Sequence, residues 1–111
     1  MENLSYIPEK PTRIGDSVIY ANESIVSKVL MKNTGGNVTL FAFDKGQQLS
    51  EHTAPFDALV LVLDGEGTVT IGGLSHVLKE GDSIVMPANI PHAVNAHERF
   101  KMMLVMIREI P

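Results

Sequence analysis

The sequence contains no cysteine, and this absence removes several kinds of chemistry at once. Without thiols there is no disulfide framework, no thiolate nucleophile and no thiolate metal site, which is compatible with a reducing cytoplasm. No apolar run approaches the roughly 20 residues that a membrane helix needs. Residues 1–13 are polar and interrupted by proline, without the apolar core of a signal peptide. We therefore expect a cytoplasmic protein that does not enter a membrane.

Basic residues are too few to indicate a nucleic-acid partner. Thirteen acidic side chains against nine basic ones give a formal net charge of -4, which leaves no broad positive surface for a phosphate backbone. Hydrophobic residues make up 44% of the chain and charged residues 20%, as in ordinary globular proteins. A chain of 111 residues can enclose one core but not two. We predict a single folded domain over residues 1–111.

The spacing of apolar segments is typical of an all-β protein. Short stretches rich in Val, Ile, Leu, Phe and Thr are separated by Gly, Asn, Asp or Pro about every ten residues. Residues 24–32 and 37–44 flank an Asn-Thr-Gly-Gly turn, and residues 67–71 and 75–78 flank a Gly-Gly turn. Because glycine readily adopts the backbone conformations of tight turns, each pair predicts a β-hairpin.

Two further apolar runs carry information about the core. The run 58–63 is apolar on both faces, so we predict a strand that lies between two packed layers and ends at Asp64-Gly65. The segment 101–108 is also apolar on both sides. One side is predicted to face the interior. The other side either completes the core or contacts a second subunit, a contact to which methionine is well suited.

Two histidines stand at corresponding places in two blocks of the sequence. His52 follows Gly46 by six positions and precedes an apolar strand. Pro87 follows Gly81 by six positions, and His92 comes five positions after that proline. Each histidine therefore lies at the mouth of a strand, and a β-barrel brings such positions together inside its lumen.

The blocks GQQLSEHTAPFDALVLVLDG and GDSIVMPANIPHAVNA, with the strands between them, resemble the two motifs of the cupin superfamily over residues 46–96. The first motif is Gly, five residues, His-x-His, three or four residues, Glu, six residues, Gly. The second is Gly, five residues, Pro-x-Gly, two residues, His, three residues, Asn. The resemblance implies one antiparallel cupin β-barrel or jelly roll, and a homodimer, because small cupins commonly form dimers. Cupins include enzymes, sugar-binding and regulatory domains and storage proteins, so whether the chain is an enzyme stays open.

The resemblance also implies a metal site, which is only half present. Typical cupins bind metal through three histidines and a glutamate, and the matching positions here are His52, Ala54, Ala58 and His92. Alanine has no lone pair to donate, and two imidazoles alone hold a divalent ion weakly. Two alternatives stay open. One is a weakly held divalent ion (Zn, Mn, Fe or Ni) on His52 and His92, with His76 as a third candidate, and the other is a pocket without metal.

The second motif departs from the pattern at a turn. Asn89 replaces the motif glycine, and asparagine enters the left-handed backbone region more readily than most residues. We expect the turn to be preserved. Ala96 replaces the final asparagine of the motif, and neither change threatens the barrel.

The two alanines also bear on what the pocket admits. Replacing large polar ligands by alanine leaves space and an apolar wall. We predict a pocket that is lined by His52, Ala54, Phe56, Ala58, Met86 and His92, and a small organic molecule as its ligand. Two functions remain open. Either the imidazoles act as general acid and base on that molecule, or the domain is a non-catalytic binding or sensing module that has lost the metal.

Overall fold

The computed structural model describes residues 7–109, and its regular structure is almost entirely β. In this range a short 3₁₀ turn, Ile14–Ser17, precedes eight strands. They are β1 (Ile25–Asn33), β2 (Gly36–Phe43), β3 (Gln48–His52), β4 (Asp57–Ile71), β5 (Leu74–Lys79), β6 (Ser83–Met86), β7 (His92–Asn95) and β8 (Phe100–Ile107). Every pairing is antiparallel, so the predicted all-β antiparallel fold is confirmed. No helix in residues 7–109 has the length and apolar character needed to cross a membrane.

The long strand β4 belongs to two sheets. Its first half pairs with β6 and β8, and its second half pairs with β5 and β7. The order of the five-stranded sheet is β1-β2-β8-β4-β6, and that of the four-stranded sheet is β3-β7-β4-β5. Because β4 bends from one sheet into the other, the sheets enclose a common interior in the manner of a jelly roll.

The bend in β4 lies where the sequence predicts the end of a strand, and that prediction is wrong. The sequence predicts the end of a strand at Asp64-Gly65, but β4 continues through it, and the register of its pairing with β8 shifts between Val62 and Asp64. Gly65 has a φ of 73°, and a Cβ there would collide with the Arg99 carbonyl. Glycine and a bulge therefore bend the strand instead of ending it. Both predicted hairpins, β1–β2 and β4–β5, are present.

One end of the interior is filled by aromatic rings. Phe43 and Phe100 are completely buried and stack with their ring centroids 4.7 Å apart and their planes 3° from parallel. Gly67 lies against Phe100, so closely that an added Cβ would be 2.5 Å from its ring. We call this region the packed end. Met106, six residues further along β8, lies roughly 20 Å away by strand rise.

The outer side of the five-stranded sheet is covered over only part of its area. Val18, in the segment after the 3₁₀ turn, is completely buried against Leu40 and Ala42 of β2. Leu63 packs at the edge of the same cluster, whereas Leu59, on the same side of β4, is 37% exposed. The prediction that run 58–63 lies between two layers therefore holds only for the half of the run that the N-terminal segment covers.

Candidate functional site

The two motif histidines lie side by side in the four-stranded sheet. His52 ends β3 and His92 begins β7, and the two residues are cross-strand partners. Their ring centroids are 4.3 Å apart, and their planes meet at 65°. His92 is buried, with 7% of its surface exposed, whereas His52 is exposed. The pair therefore extends from the interior of the barrel to its opening.

Both imidazoles are oriented by the backbone two residues before them. His52 Nδ1 lies 2.9 Å from the carbonyl oxygen of Ser50, and His92 Nδ1 lies 3.2 Å from that of Ile90. Because a carbonyl oxygen only accepts, each Nδ1 carries the hydrogen that it donates. In a neutral ring this leaves a lone pair on Nε2, which can accept a hydrogen bond or bind a metal. Metal-binding histidines are commonly oriented in the same way.

A cavity of about 80 Å³ lies beside this pair, between the two sheets. On the wall opposite the histidines, Met86, Ala58 and Met106 lie side by side on β6, β4 and β8, because Ala58 is the cross-strand partner of both methionines. Within residues 7–109, the side chains that line the cavity are all apolar apart from the two imidazoles. The lining consists of Leu49, His52, Ala54, Phe56, Ala58, Met86, His92, Val94, Met102, Leu104 and Met106.

All six residues that the sequence predicts for the pocket line this cavity, and the binding of a ligand there stays a prediction. The motif spacing selects them, but it did not identify five further lining residues: Leu49, Val94, Met102, Leu104 and Met106. Strand alternation already places Met102, Leu104 and Met106 on one side of β8. Alternation predicts which side chains of a strand face the interior, but it does not predict at which end of the barrel the interior contains a cavity.

Hydrogen bonds join the two motif segments at the mouth of the cavity. The Asn89 amide donates to the Ala54 carbonyl oxygen at 2.8 Å, and the Ala88 amide donates to the Asp57 carboxylate at 2.8 Å. Asn89 has a φ of 64°, so the prediction of a preserved left-handed turn is confirmed. Asp57 faces away from the cavity, since its neighbour Ala58 faces into it. Its carboxylate therefore acts in the structure of the mouth.

A divalent metal of the kind that cupins hold does not fit these side chains. Ala54 and Ala58 occupy two of the four ligand positions. His76 pairs with Val69 on the far side of β4 from β7, roughly 10 Å away from that strand by strand spacing, and it is exposed. In residues 7–109 no three His, Cys, Asp or Glu side chains are placed to hold a metal ion. The cavity therefore offers two nitrogen ligands and no carboxylate.

The clearly shifted pKa values in the described chain belong to the packed end. Arg99 donates to the Asp44 carboxylate at 2.7 Å and the Glu23 amide donates to it as well, which lowers the pKa of Asp44 to about 2. Burial raises the pKa of Tyr20, and its 2.6 Å hydrogen bond to Asp64 raises it further. These groups lie far from the cavity along the strands, so we assign them to structure and not to a reaction.

Comparison with known proteins agrees with this architecture. A family profile described as Cupin domain matches residues 39–108, more than half of the chain. A conserved protein of unknown function from Streptococcus pyogenes is 33% identical, with a TM-score of 0.86 over 99% of this chain and 95% of that one. A cupin superfamily protein from Desulfitobacterium hafniense is 25% identical, with a TM-score of 0.89 over 98% of this chain and 100% of that one.

A third solved structure is closer in sequence but longer. The Cupin 2 conserved barrel domain protein from Leptotrichia buccalis is 45% identical, with a TM-score of 0.82 over 85% of this chain. The match covers 46% of that protein, so this chain corresponds to less than half of its length. None of the curated proteins matches the sequence. The family profile and the solved structures together show that this chain belongs to the Cupin domain family.

Proposed function

We propose that the cavity binds a small organic molecule, which places an apolar group between the sheets and a hydrogen-bond donor on the histidine pair. The observation that carries this proposal is the composition of the lining, in which His52 and His92 are the only polar side chains among the described residues. Their Nδ1 atoms contact backbone carbonyls, so Nε2 is the acceptor that each ring offers. A ligand that left a buried acceptor without a donor would bind poorly.

The size of the cavity limits the group that enters it. Its volume of about 80 Å³ is roughly half that of an engineered cavity known to bind benzene, about 150 Å³. We therefore expect a group smaller than a benzene ring to be enclosed, with the remainder of the ligand at the mouth. Methionine side chains are flexible, so Met86, Met102 and Met106 allow small adjustments of the wall.

A non-catalytic binding module and an enzyme differ in whether the bound molecule then reacts. Each of the two adjacent imidazoles offers a basic Nε2 that can take up a proton and return it, so acid–base catalysis is the second candidate function, favoured by the 4.3 Å separation of the ring centroids. The described chain places no carboxylate or third histidine in the cavity lining. Binding needs only the groups that are present, and we therefore put it first.

A matched pair of five-membered rings tests the binding proposal. Pyrrole carries an N–H donor and furan does not, although the two rings are similar in size. We expect pyrrole to raise the melting temperature more than furan, because only pyrrole can donate to the Nε2 atoms and so binds more tightly. A ligand that binds only the folded state stabilises it by about 2.7 kcal/mol at 100 times its Kd. His92→Ala should remove the difference, whereas His97→Ala, at an exposed position, should keep it.

Equal shifts for the two rings, or a pyrrole shift that survives His92→Ala, would contradict the proposed role of the histidine pair. The enzyme candidate is tested on the same samples. Proton NMR after prolonged incubation with a bound compound shows whether a product forms. Turnover that depends on His92 would contradict the non-catalytic binding module and favour the enzyme.

We also propose that the chain forms a homodimer through the uncovered part of the five-stranded sheet. A row of cross-strand partners crosses all five strands on the outer side: Met31, Val38, Val105, Leu59 and Val85. A contiguous apolar surface of this kind marks an interface. Val105 lies on the central strand with two apolar residues on each side. A two-fold axis through it would therefore place apolar residues on apolar residues, as an isologous contact requires.

Charge substitution tests this dimer. Leu59→Lys should convert a dimer into a 12.1 kDa monomer, because a lysine in the row would be buried without a partner. Val77→Lys is the control, since Val77 is equally apolar and 61% exposed but lies on the four-stranded sheet. Light scattering coupled to size-exclusion chromatography gives the mass. A monomeric unmodified chain, or a Leu59→Lys dimer, would refute the proposed surface.

The cytoplasmic location stays a proposal that rests on the sequence. Its support is the cysteine-free composition. Fractionation of cells that produce the tagged chain tests it, and recovery from the medium or from an extracytoplasmic fraction would contradict it.

A further inference from the structure

Methionine residues are concentrated in the cavity wall that faces the histidines. Three of the six methionines of the chain, Met86, Met102 and Met106, line this cavity of about 80 Å³. Met86 and Met106 lie on either side of Ala58, on the two strands that flank it. Ala58 stands where the resemblance places the glutamate ligand of other cupins. Two thioether side chains thus border the position from which the carboxylate is missing.

The nature of these ligands selects a particular kind of ion. A thioether is a soft ligand that favours Cu(I), and imidazole also binds copper well. Carboxylates and water, which suit Mg²⁺, Ca²⁺ and Mn²⁺, have no counterpart among the lining side chains. Burial of charge adds to this preference, because the desolvation of a monovalent ion costs far less than that of a divalent one when only neutral groups surround it.

We propose that this cavity is a Cu(I) site, with Nε2 of His52 and His92 and the thioether sulfur of Met86 or Met106 as ligands. The Nδ1 contacts of both histidines to backbone carbonyls hold the rings in the tautomer that such binding needs. The proposal deepens the proposed function, because it concerns the same cavity and makes the ion a competitor of the organic ligand there. The ordinary alternative is that the methionines only fill space, in which case leucine would serve equally well.

Exchange of methionine for leucine separates these two explanations. Leucine keeps the apolar character and nearly the volume of methionine but has no sulfur, and such exchanges usually cost less than about 1.5 kcal/mol of stability. The test variant is Met86→Leu/Met106→Leu. Met103→Leu is the matched control, since Met103 lies on the same strand as Met106 but packs in the outer cluster under the N-terminal segment.

The measurement is an anaerobic titration of the folded chain with Cu(I) against the colorimetric chelator bicinchoninate. We expect one Cu(I) per chain, and binding of Zn(II) to be weaker. The double variant should lose at least about tenfold in Cu(I) affinity, the lower end of what even outer-shell changes at metal sites cause, and Met103→Leu should lose nothing. X-ray absorption of the Cu(I)-loaded protein should show sulfur scattering that the double variant lacks.

Pyrrole binding keeps the two proposals distinguishable. The double variant alters the apolar wall, so the size of both ring-induced shifts can change, but the excess of the pyrrole shift over the furan shift should remain, since the histidine pair that produces it is unchanged. Cu(I) affinity that is equal in the double variant and the unmodified chain, or Cu(I) bound without sulfur scattering, would overturn the copper site and leave the organic-ligand proposal standing. If the unmodified chain binds Cu(I) as expected but pyrrole gives no larger shift than furan, the organic-ligand proposal is contradicted and the copper site stands.

Discussion

The two ends of the barrel interior are built from the same strands but in opposite ways. At the packed end, Phe43 and Phe100 stack at 4.7 Å with no exposed surface, and Gly67 leaves room for the Phe100 ring. At the cavity end, flexible methionines and two imidazoles surround about 80 Å³ of space. Rigid rings at one end and adaptable side chains at the other separate the tightly packed part of the interior from the proposed ligand site along the strands.

The largest expected effect breaks the packed end. Phe100→Ala removes a completely buried ring from the stack with Phe43 and should lower the free energy of unfolding by about 3–5 kcal/mol. Phe56→Ala is the control at the cavity end. Phe56 is only half-buried, so its loss should cost about 1 kcal/mol, less than the 1.5–3 kcal/mol of a fully buried side chain. Urea unfolding measures both variants, and equal losses would remove the distinction between the ends.

A smaller effect comes from adding one methyl group at the packed end. The Cβ of Gly67→Ala would lie 2.5 Å from the Phe100 ring, which the stack with Phe43 holds in place. Such overpacking should cost about 1–3 kcal/mol of unfolding free energy. Gly15→Ala is the matched control, because its nearest new contact, at 3.9 Å from Leu63, is an ordinary one. A Gly67→Ala variant as stable as the Gly15→Ala variant would show that the Phe100 ring can shift to accommodate the added Cβ.

The packed end and the cavity end also differ in how far the sequence predicts them. The hairpins follow from glycine-containing turns, and the all-β class follows from short apolar segments. The continuation of β4 through Asp64-Gly65 could not be predicted in this way, since the same glycine can end a strand or bend it, and only the pairing with β8 decides. Strand β3, Gln48–His52, was also not predicted, because its polar sequence has no β pattern and its pairing with β7 defines it.

At the candidate site, the spacing of the cupin motifs predicts more than composition does. It selects the six residues from His52 to His92 that line the cavity, although these come from strands β3, β4, β6 and β7 and from the loop between β3 and β4. It gives no information on Met102 and Met106, which lie outside both motifs. Their place in the cavity depends on the pairing of β8 with β4, a contact between distant segments that no local pattern contains.

The left-handed turn at the mouth of the cavity should have an intermediate effect on the free energy of unfolding. Asn89 holds a φ of 64°, a conformation that costs most residues with a Cβ roughly 1–2 kcal/mol. Asn89→Ala should therefore lower the free energy of unfolding by about 1 kcal/mol, whereas Asn89→Gly, which restores the motif residue, should change it little. Thermal unfolding measures both. Equal stability of the two variants would mean that the mouth does not depend on this turn.

The smallest effect is a dependence on pH at the outer edge of the packed end. Asp44 follows Phe43 and Arg99 precedes Phe100, so their 2.7 Å ion pair joins the ends of the two strands that carry the stacked rings. The pair and the Glu23 amide lower the pKa of Asp44 from 3.8 to about 2. Because the pKa is lower in the folded state, this contribution is complete above about pH 5 and is lost as the pH falls toward 2.

Arg99→Gln should therefore reduce the fall in melting temperature between pH 5 and pH 2, roughly the range in which the linkage acts. Lys45→Gln is the matched control, since it removes only an exposed pair with Glu98 at 3.7 Å. The effect should be small because surface ion pairs are screened by solvent. If the melting temperature of Arg99→Gln falls between pH 5 and pH 2 as much as that of the unmodified chain, the ion pair does not contribute to the stability of the packed end.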